Sequence, residues 1–434
     1  MRSPKFLWLL DKEFRELIVS KAWWVLLLLM GPLVGMSFIS SVRTYAEVSA
    51  GVGEALSPLI GIWAPTFSAC ELAAVFLLPF VAIRLVAGDR ESGALKLELQ
   101  QGMGSFARIA AKGIVLLAGW LVAMLPPLSA ILLWRSYGGS VYPSEMMTLI
   151  FGHVLNAGLT IALAAALAAV TDHHSTAAIL TLGVTVGTWV IAFLGSVEGA
   201  WWERAAQYTP AAMVAEFQHG LIQMSVVFIA IAATAMGLAL AAIWLRLGVR
   251  VRQRVYESLA IAALAVAGIL ACTFLRVSWD FSESRGNSFP QADERALRQI
   301  REPLLIEVHL APEDPRRMDL EVHALAKLRR VMPGLEVRYV AATSTGLFEQ
   351  ASAGYGEIWY QLAGRRIMSR ATSAEGVLEA IYSVARVPPP PETAESIFRG
   401  HPLAVAPRGA APIFYILWPG LFLSGALLIR RSLK

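Results

Sequence analysis

The sequence predicts a mainly α-helical polytopic membrane protein with about eight transmembrane helices and a small α/β domain between the last two. Three observations predict it. Hydrophobic residues make up 56% of the 434 residues and charged residues only 16%, a balance outside the usual range of soluble globular chains. Nearly uncharged runs of about 20 residues, the length that crosses the hydrocarbon core, recur along the chain. Lys and Arg gather in alternate loops between those runs.

The runs are Trp23–Ser40, Ser68–Val86, Ile114–Leu133, Thr148–Val170, Thr176–Leu194, Val226–Leu245, Leu259–Leu275 and Ile413–Ile429. Only the second holds full charges, Glu71 and Arg84, and both are expected near its ends. With a cytoplasmic N-terminus, the inside segments carry Arg2, Lys5, Lys12, Arg15 and Lys21, then Arg90, Lys96, Arg108 and Lys112. They continue with Arg246, Arg250, Arg252 and Arg254, and end on Arg430, Arg431 and Lys434. The short outside loops hold only Arg43, Arg135 and Arg204. This bias places both termini in the cytoplasm and accounts for the net charge of +5 without a nucleic-acid partner. Asp11, Glu13 and Glu16 make the segment before the first run unlike a signal-peptide n-region, so that run is expected to be an uncleaved span.

Within the N-terminal segment Phe6, Leu10, Phe14, Leu17 and Ile18 recur at helical spacing among charges, which predicts an amphipathic helix lying along the membrane surface. Ala87–Gly113 is the one sizeable cytoplasmic loop. Thr171–Ser175 is a tight turn. The outside segment Gly195–Gln223 is too apolar for a solvated loop and too interrupted by Glu198, Arg204, Pro210 and Gly220 to span. Paired short re-entrant helices fit it, with Trp201 and Trp202 at the interface. From Arg276 to Ala411 the chain turns hydrophilic. Ile306–Leu310, Leu335–Val340, Glu357–Leu362 and Arg366–Arg370 read as strands, the last two as a hairpin turning at Ala363 and Gly364. Met318–Val331 and Ala374–Val387 read as helices, which gives a small α/β sandwich of thioredoxin-like arrangement, and Val387–Glu392 is a proline-rich tether.

No GxxxxGK[ST], HExxH or GxSxG motif occurs, so no P-loop ATPase, zincin or serine hydrolase chemistry is expected of this chain. His173 and His174 beside Asp172 lack a third partner at zinc-ligand spacing, and no metal or cofactor is expected. Cys70 and Cys272 form no CxxC. His153 and His219 are candidates for a polar pathway or for hydrogen bonding between helices.

Leu9–Trp24, Ala87–Leu99 with Lys112 beyond, and Tyr208–Ile222 together resemble the ABC-2 type permease family. Asp89, Arg90, Glu91 and Gly93 are similar to the family's charged cytoplasmic loop, although Gln101–Gly104 stands where the family has a proline. Pro210, Phe217 and Gly220 are similar to its outer motif. The remainder, on Trp279–Pro312 and Tyr355–Ile381, resembles the auxiliary subunit of gliding-motility ABC systems, with a shorter domain. The resemblance implies a membrane domain over 1–256, a seventh span over 257–275, an extracytoplasmic domain over 276–411 and an eighth span with tail over 412–434. It implies a non-catalytic permease subunit in a bacterial cytoplasmic membrane, working with a second permease copy or paralogue and an ABC ATPase subunit that holds ATP and Mg. Export is the expected direction. Lys12, Glu13, Glu16, Asp89, Arg90, Glu91 and Gly93 are expected to contact the ATPase, and Trp201, Trp202, Pro210, Phe217 and Gly220 to form an outer gate. The competing expectation is a membrane-anchored scaffold that presents the outer domain.

Overall fold

A computed structural model describes residues 4–51, 56–91, 103–197, 202, 205–246, 248–275, 277–311, 314–340, 354–390 and 398–432. Among them are eight helices long and apolar enough to cross a membrane, and the protein is a multi-pass membrane protein. In order these spans are Lys21–Gly51, Leu59–Asp89, Ser105–Ser136, Pro143–Val170, His174–Gly195, Met224–Trp244, Val251–Cys272 and Ala410–Arg431. Each matches one of the eight uncharged runs, the sixth and seventh stopping one and three residues short of their runs' ends at Trp244 and Cys272, and the first three extend well beyond theirs, because helix continues into the polar flanks on either side of the apolar stretch. One consequence corrects an expectation. The second span starts at Leu59, so Glu71 lies close to its middle and not near its end.

The chain divides into two compact units, Met1–Ile191 with Tyr208–Phe281 and Arg399–Lys434, and Ala192–Gln207 with Ser282–Phe398. The first unit is the helical bundle. Its core runs through Leu26, Met30, Val34 and Phe38 of the first span, Trp63 and Phe67 of the second, Trp120 and Trp134 of the third, and Phe414 of the eighth. The eighth span lies antiparallel against the first, with Phe414 on Gly35, Trp418 on Gly31 and Trp24 on Gly425. Gly31 and Gly35 are four apart on one helix face, the spacing that lets two backbones approach in lipid. A Cβ on Gly35 would come 2.3 Å from Phe414 Cβ, and one on Gly31 2.8 Å from Trp418 Cβ. Trp418 Nε1 also donates to Ser129 Oγ of the third span at 3.1 Å. By contrast the seventh span has no buried residue.

Between the fifth and sixth spans the helix Pro210–Gln218 is capped by Thr209, whose hydroxyl accepts from the Ala212 N–H. Strand β1 (Leu221–Gln223) then pairs antiparallel with β2 (Ser278–Asp280), so Ser278–Asp280 belongs to the bundle unit and not to the hydrophilic domain that the sequence started at Arg276.

The second unit holds a four-stranded sheet of order β4–β3–β5–β6, from β3 (Leu304–Val308), β4 (Leu335–Tyr339), β5 (Ile358–Leu362) and β6 (Arg365–Ser369). β3 pairs parallel with β4 and antiparallel with β5, and β5 and β6 form the hairpin. The parallel pair requires a crossover, supplied by the helical stretch 315–331, whose Leu320, Ala324 and Leu328 are buried. That stripe and the helix Ala374–Ala385 cover the face carrying Leu304, Ile306, Val308, Ile358 and Tyr360. The other face presents Glu307 to Arg366 at 2.7 Å, with Arg366 over the Trp359 ring at 4.2 Å. The hairpin turns through Ala363 (φ 49°) and Gly364 (φ 76°), both left-handed as a two-residue turn of this kind needs. Asp314 caps the helix Pro315–Leu320, and its carboxylate accepts from Arg316 and from the Tyr355 hydroxyl at 2.8 Å. Those bonds hold its carboxyl down at about 2.

If the glycine groove sets the seat of the eighth span, Gly35→Ala should lower stability by about 1–3 kcal/mol through overpacking. Combined with Phe414→Gly, which removes the Cβ it would meet, it should cost less than the two single changes added together. Thermal unfolding of the four proteins in one detergent measures both.

Candidate functional site

The amphipathic helix Pro4–Val19 buries Leu9, Glu13 and Leu17, residues four apart that share one face. This packed face is distinct from the stripe that the sequence lays along the membrane surface, for Phe14 of that stripe is 45% exposed while Glu13, an acid between two buried leucines, is 0% exposed. Glu13 lies inside because its counter-charges do. Lys112, near the start of the third span, is 3% exposed and places its ammonium 2.7 Å from Glu13 Oε2 and 2.7 Å from Asp89 Oδ2. Its third proton goes to the Leu85 carbonyl oxygen at 2.9 Å, so every donor of the ammonium has a partner. Lys12 stands across from it, 3.2 Å from Glu13 Oε1 and 3.2 Å from Asp89 Oδ1, and 3.0 Å from Glu16 Oε1. The four groups Lys112, Glu13, Lys12 and Asp89 therefore close a ring of alternating charge, with Glu16 attached at its exposed rim.

The ring joins three elements: the amphipathic helix, the end of the second span and the start of the third. Asp89 and Lys112 flank the loop whose residues 92–102 lie outside the described residues. A cleft of about 190 Å³ opens beside the ring between Glu16, Ser20, Arg84 and Gly88. Burial pushes the Glu13 carboxyl above its ordinary value, while Lys112, by charge and hydrogen bond, and then Lys12 pull the other way. Glu13, Glu16 and Asp89 have a grouping that could hold a metal ion. The two ammonium groups already supply the cationic charge among them, so the cluster is an ion-pair network.

Of the residues expected to contact an ATPase, Glu13 and Asp89 are thus interior, which removes them from a directly exposed surface. Lys12 is 19% exposed and Glu16 38%. Arg90 and Glu91 end the helix Leu78–Glu91, and Gly93 lies outside the described residues. Lys112 was read as one of the inside positive charges and as the residue beyond the resembling loop, with no contact assigned to it. Its place at the centre of the ring depends on a contact 99 residues away in sequence, which no local pattern reports.

For the expected outer gate, Pro210 opens the short helix and Phe217 is buried against Gly152 and edge-on to Phe151, with ring centroids 5.8 Å apart. Gly220 takes φ 78°, turning the chain from that helix into β1. Trp202 is helical and half-buried, and Trp201 lies outside the described residues. Only the second of the two expected short helices falls fully within the described residues, and the β1–β2 ribbon that follows it was not foreseen. His153 is 1% exposed in the fourth span and its ring lies 5.5 Å from that of Phe67. His219 caps the short helix, and burial lowers its pKa. Cys70 and Cys272 are free thiols. Scanned against protein-family models, the chain matches none. Neither does any curated protein or any solved structure match it.

Lys112→Met should cost about 3–5 kcal/mol, because it strands two buried carboxylates on one lysine. It also removes the strongest pull holding Glu13 down. A carboxyl raised in the folded state binds a proton on folding, so its stabilising share is present at low pH and lost as pH rises through its folded value. The variant should therefore gain thermal stability on acidification from about pH 8 to about pH 5, more steeply than the parent protein. Replacing Lys112 and Glu13 together by Leu should recover stability relative to Lys112→Met alone.

Proposed function

We propose that the protein is the membrane-spanning permease subunit of an ABC transporter of ABC-2 type, acting with a separate ATPase subunit and a second membrane domain. The observation that carries this reading is the buried charge ring. A helix lying along the membrane surface is bound by ions to both flanks of the one sizeable loop on its own side, so a force applied to that loop moves the helix and two spans together. Such a junction suits a protein driven by a soluble partner. It has no purpose in a helix that merely anchors, for which contact with lipid suffices. The similarity of Asp89, Arg90, Glu91 and Gly93 to the ABC-2 loop supports the same reading.

On this reading ATP and Mg are bound by the partner, and the charge bias of the loops puts the ring and both termini in the cytoplasm. The second unit, with its four-stranded sheet, then stands outside as a substrate- or partner-handling module, and the direction of transport is export. Docking involves the loop with Arg90 and Glu91 where it begins, and the rim of the ring at Glu16 and Lys12, with Glu13 and Asp89 acting behind that rim as fixed support.

Reversing Arg90 and Glu91 together should reduce co-purification of an ATPase encoded beside this gene, or the hydrolysis it shows with the permease, by tenfold or more. Unchanged levels of both would leave the scaffold reading in its place. A cysteine near Gly354 should react with an impermeant thiol reagent in intact cells, whereas a tag after Lys434 should be reached only after permeabilisation. Replacing residues 280–405 by a flexible linker should spare ATPase association and abolish transport.

A further inference from the structure

Three spans carry an unbroken uncharged stretch bounded by a basic residue at each end: Lys21 to Arg43 in the first, Lys112 to Arg135 in the third, and Arg408 to Arg430 across the eighth. Each stretch is roughly 20 residues, about 30 Å at 1.5 Å per residue, which is one hydrocarbon thickness. Arg43, Arg135 and Arg408 therefore fall at headgroup depth on one membrane face. The packing gives the same level independently. The eighth span runs antiparallel to the first with Trp418 on Gly31 and Phe414 on Gly35, a register that continues to Arg408 opposite the turn holding Arg43. The Tyr137 hydroxyl donates to the Arg408 carbonyl oxygen at 2.8 Å, which sets the end of the third span at that height.

Between the last turns of the first span and the segment Ala404–Arg408 lies an open groove of about 640 Å³. Its wall is apolar at Ala46, Ala50 and Val405, and its charges are Arg43, Arg408 and Glu47. None of these three side chains has an ion-pair or hydrogen-bond partner among the described residues. The groove is held open by hydrogen bonds to the backbone of the segment that walls it. Tyr45 donates to the His401 carbonyl oxygen at 2.7 Å, the His401 N–H donates to the Leu56 carbonyl oxygen at 2.8 Å, and the Leu403 N–H donates to Ser49 Oγ at 3.0 Å.

We propose that this groove binds a phospholipid by its phosphodiester, with Arg43 and Arg408 on the phosphate and the alanine wall along the glycerol and upper acyl chain. Two guanidinium groups with no partner among the described residues, at headgroup depth, meet the one anionic group abundant at that level, and guanidinium matches phosphate oxygens in pairs. Glu47 lies one turn farther from the hydrocarbon than Arg43 and leaves the lining with one net positive charge. Simple snorkelling into bulk headgroups would need neither the groove nor the bonded segment that walls it. The site rests on the spans alone and is independent of the transport reading.

Native mass spectrometry of the full chain released from detergent tests it, with phosphatidylglycerol, a diacylglycerol of the same acyl chains, and inorganic phosphate as probes. The intact protein should retain phosphatidylglycerol at least tenfold more than diacylglycerol. Arg43→Gln with Arg408→Gln should lose that preference, and Arg43→Lys with Arg408→Lys should keep most of it. Equal retention of the two lipids by the parent protein overturns the proposal even if the glutamine variant does not fold, as does an unchanged preference in a folded glutamine variant. If inorganic phosphate at millimolar concentration displaces the lipid completely, the site is one for soluble phosphate and the lipid assignment falls.

Discussion

The structure depends on a buried ring of four charges in which each lysine bridges the same two carboxylates. Taking four ions out of water is costly, and such a cluster is favourable only when every donor and acceptor is matched. Lys112 meets that condition with two carboxylates and a carbonyl oxygen, and Lys12 with three carboxylates. What the ring supplies is registration. A helix lying flat on a bilayer is free to roll about its axis, since lipid and protein are equally apolar, and Glu13 fixes which face turns inward. The same bonds set the spacing between the second and third spans at the end where the loop emerges.

That constraint is also why the sequence is incomplete at this helix. Hydrophobic periodicity finds the apolar residues that face the membrane surface, so the stripe through Phe6, Leu10 and Phe14 is read, but it does not report a second face that packs on protein. In the fold Phe14 is largely exposed and the packed face runs through Leu9, Glu13 and Leu17. A charge buried among leucines is invisible to a rule that scores charge as surface. Elsewhere hydropathy serves well. Six of the eight uncharged runs lie within helices of spanning length and the other two overrun theirs by only one and three residues, because in lipid the backbone must satisfy itself and helix is the local way to do so. The hairpin at Ala363 and Gly364 is legible for a similar reason, as alternating strands around a two-residue turn leave little choice of register. The β1–β2 ribbon is not legible. Its strands are three residues long and separated by 54 residues of span and turn, from Gln223 to Ser278.

The two ends of the bundle use different chemistry. At one, ions tie the amphipathic helix to the spans. At the other, glycines, tryptophans and backbone bonds seat the eighth span and the segment before it, with Gly31 and Gly35 admitting Trp418 and Phe414. The eighth span is therefore part of the bundle and not a loose tether for the second unit, whereas the seventh, which buries none of its residues, is held mainly by its neighbour, the sixth. Arg43 and Arg408, whose side chains have no partner among the described residues, lie at the glycine end.

On the proposed reading, the ring makes the amphipathic helix and the loop flanks one mechanical body through which a partner's ATP hydrolysis reaches the membrane. Hydrogen exchange of the membrane-embedded protein, followed on peptides covering 4–19 and 103–113 with and without the partner ATPase and ATP, tests this most directly. The account predicts that protection in both segments changes together in the intact protein, and that Lys112→Met leaves the 4–19 segment unresponsive while 103–113 still responds. No response of the 4–19 segment in the intact protein would contradict it.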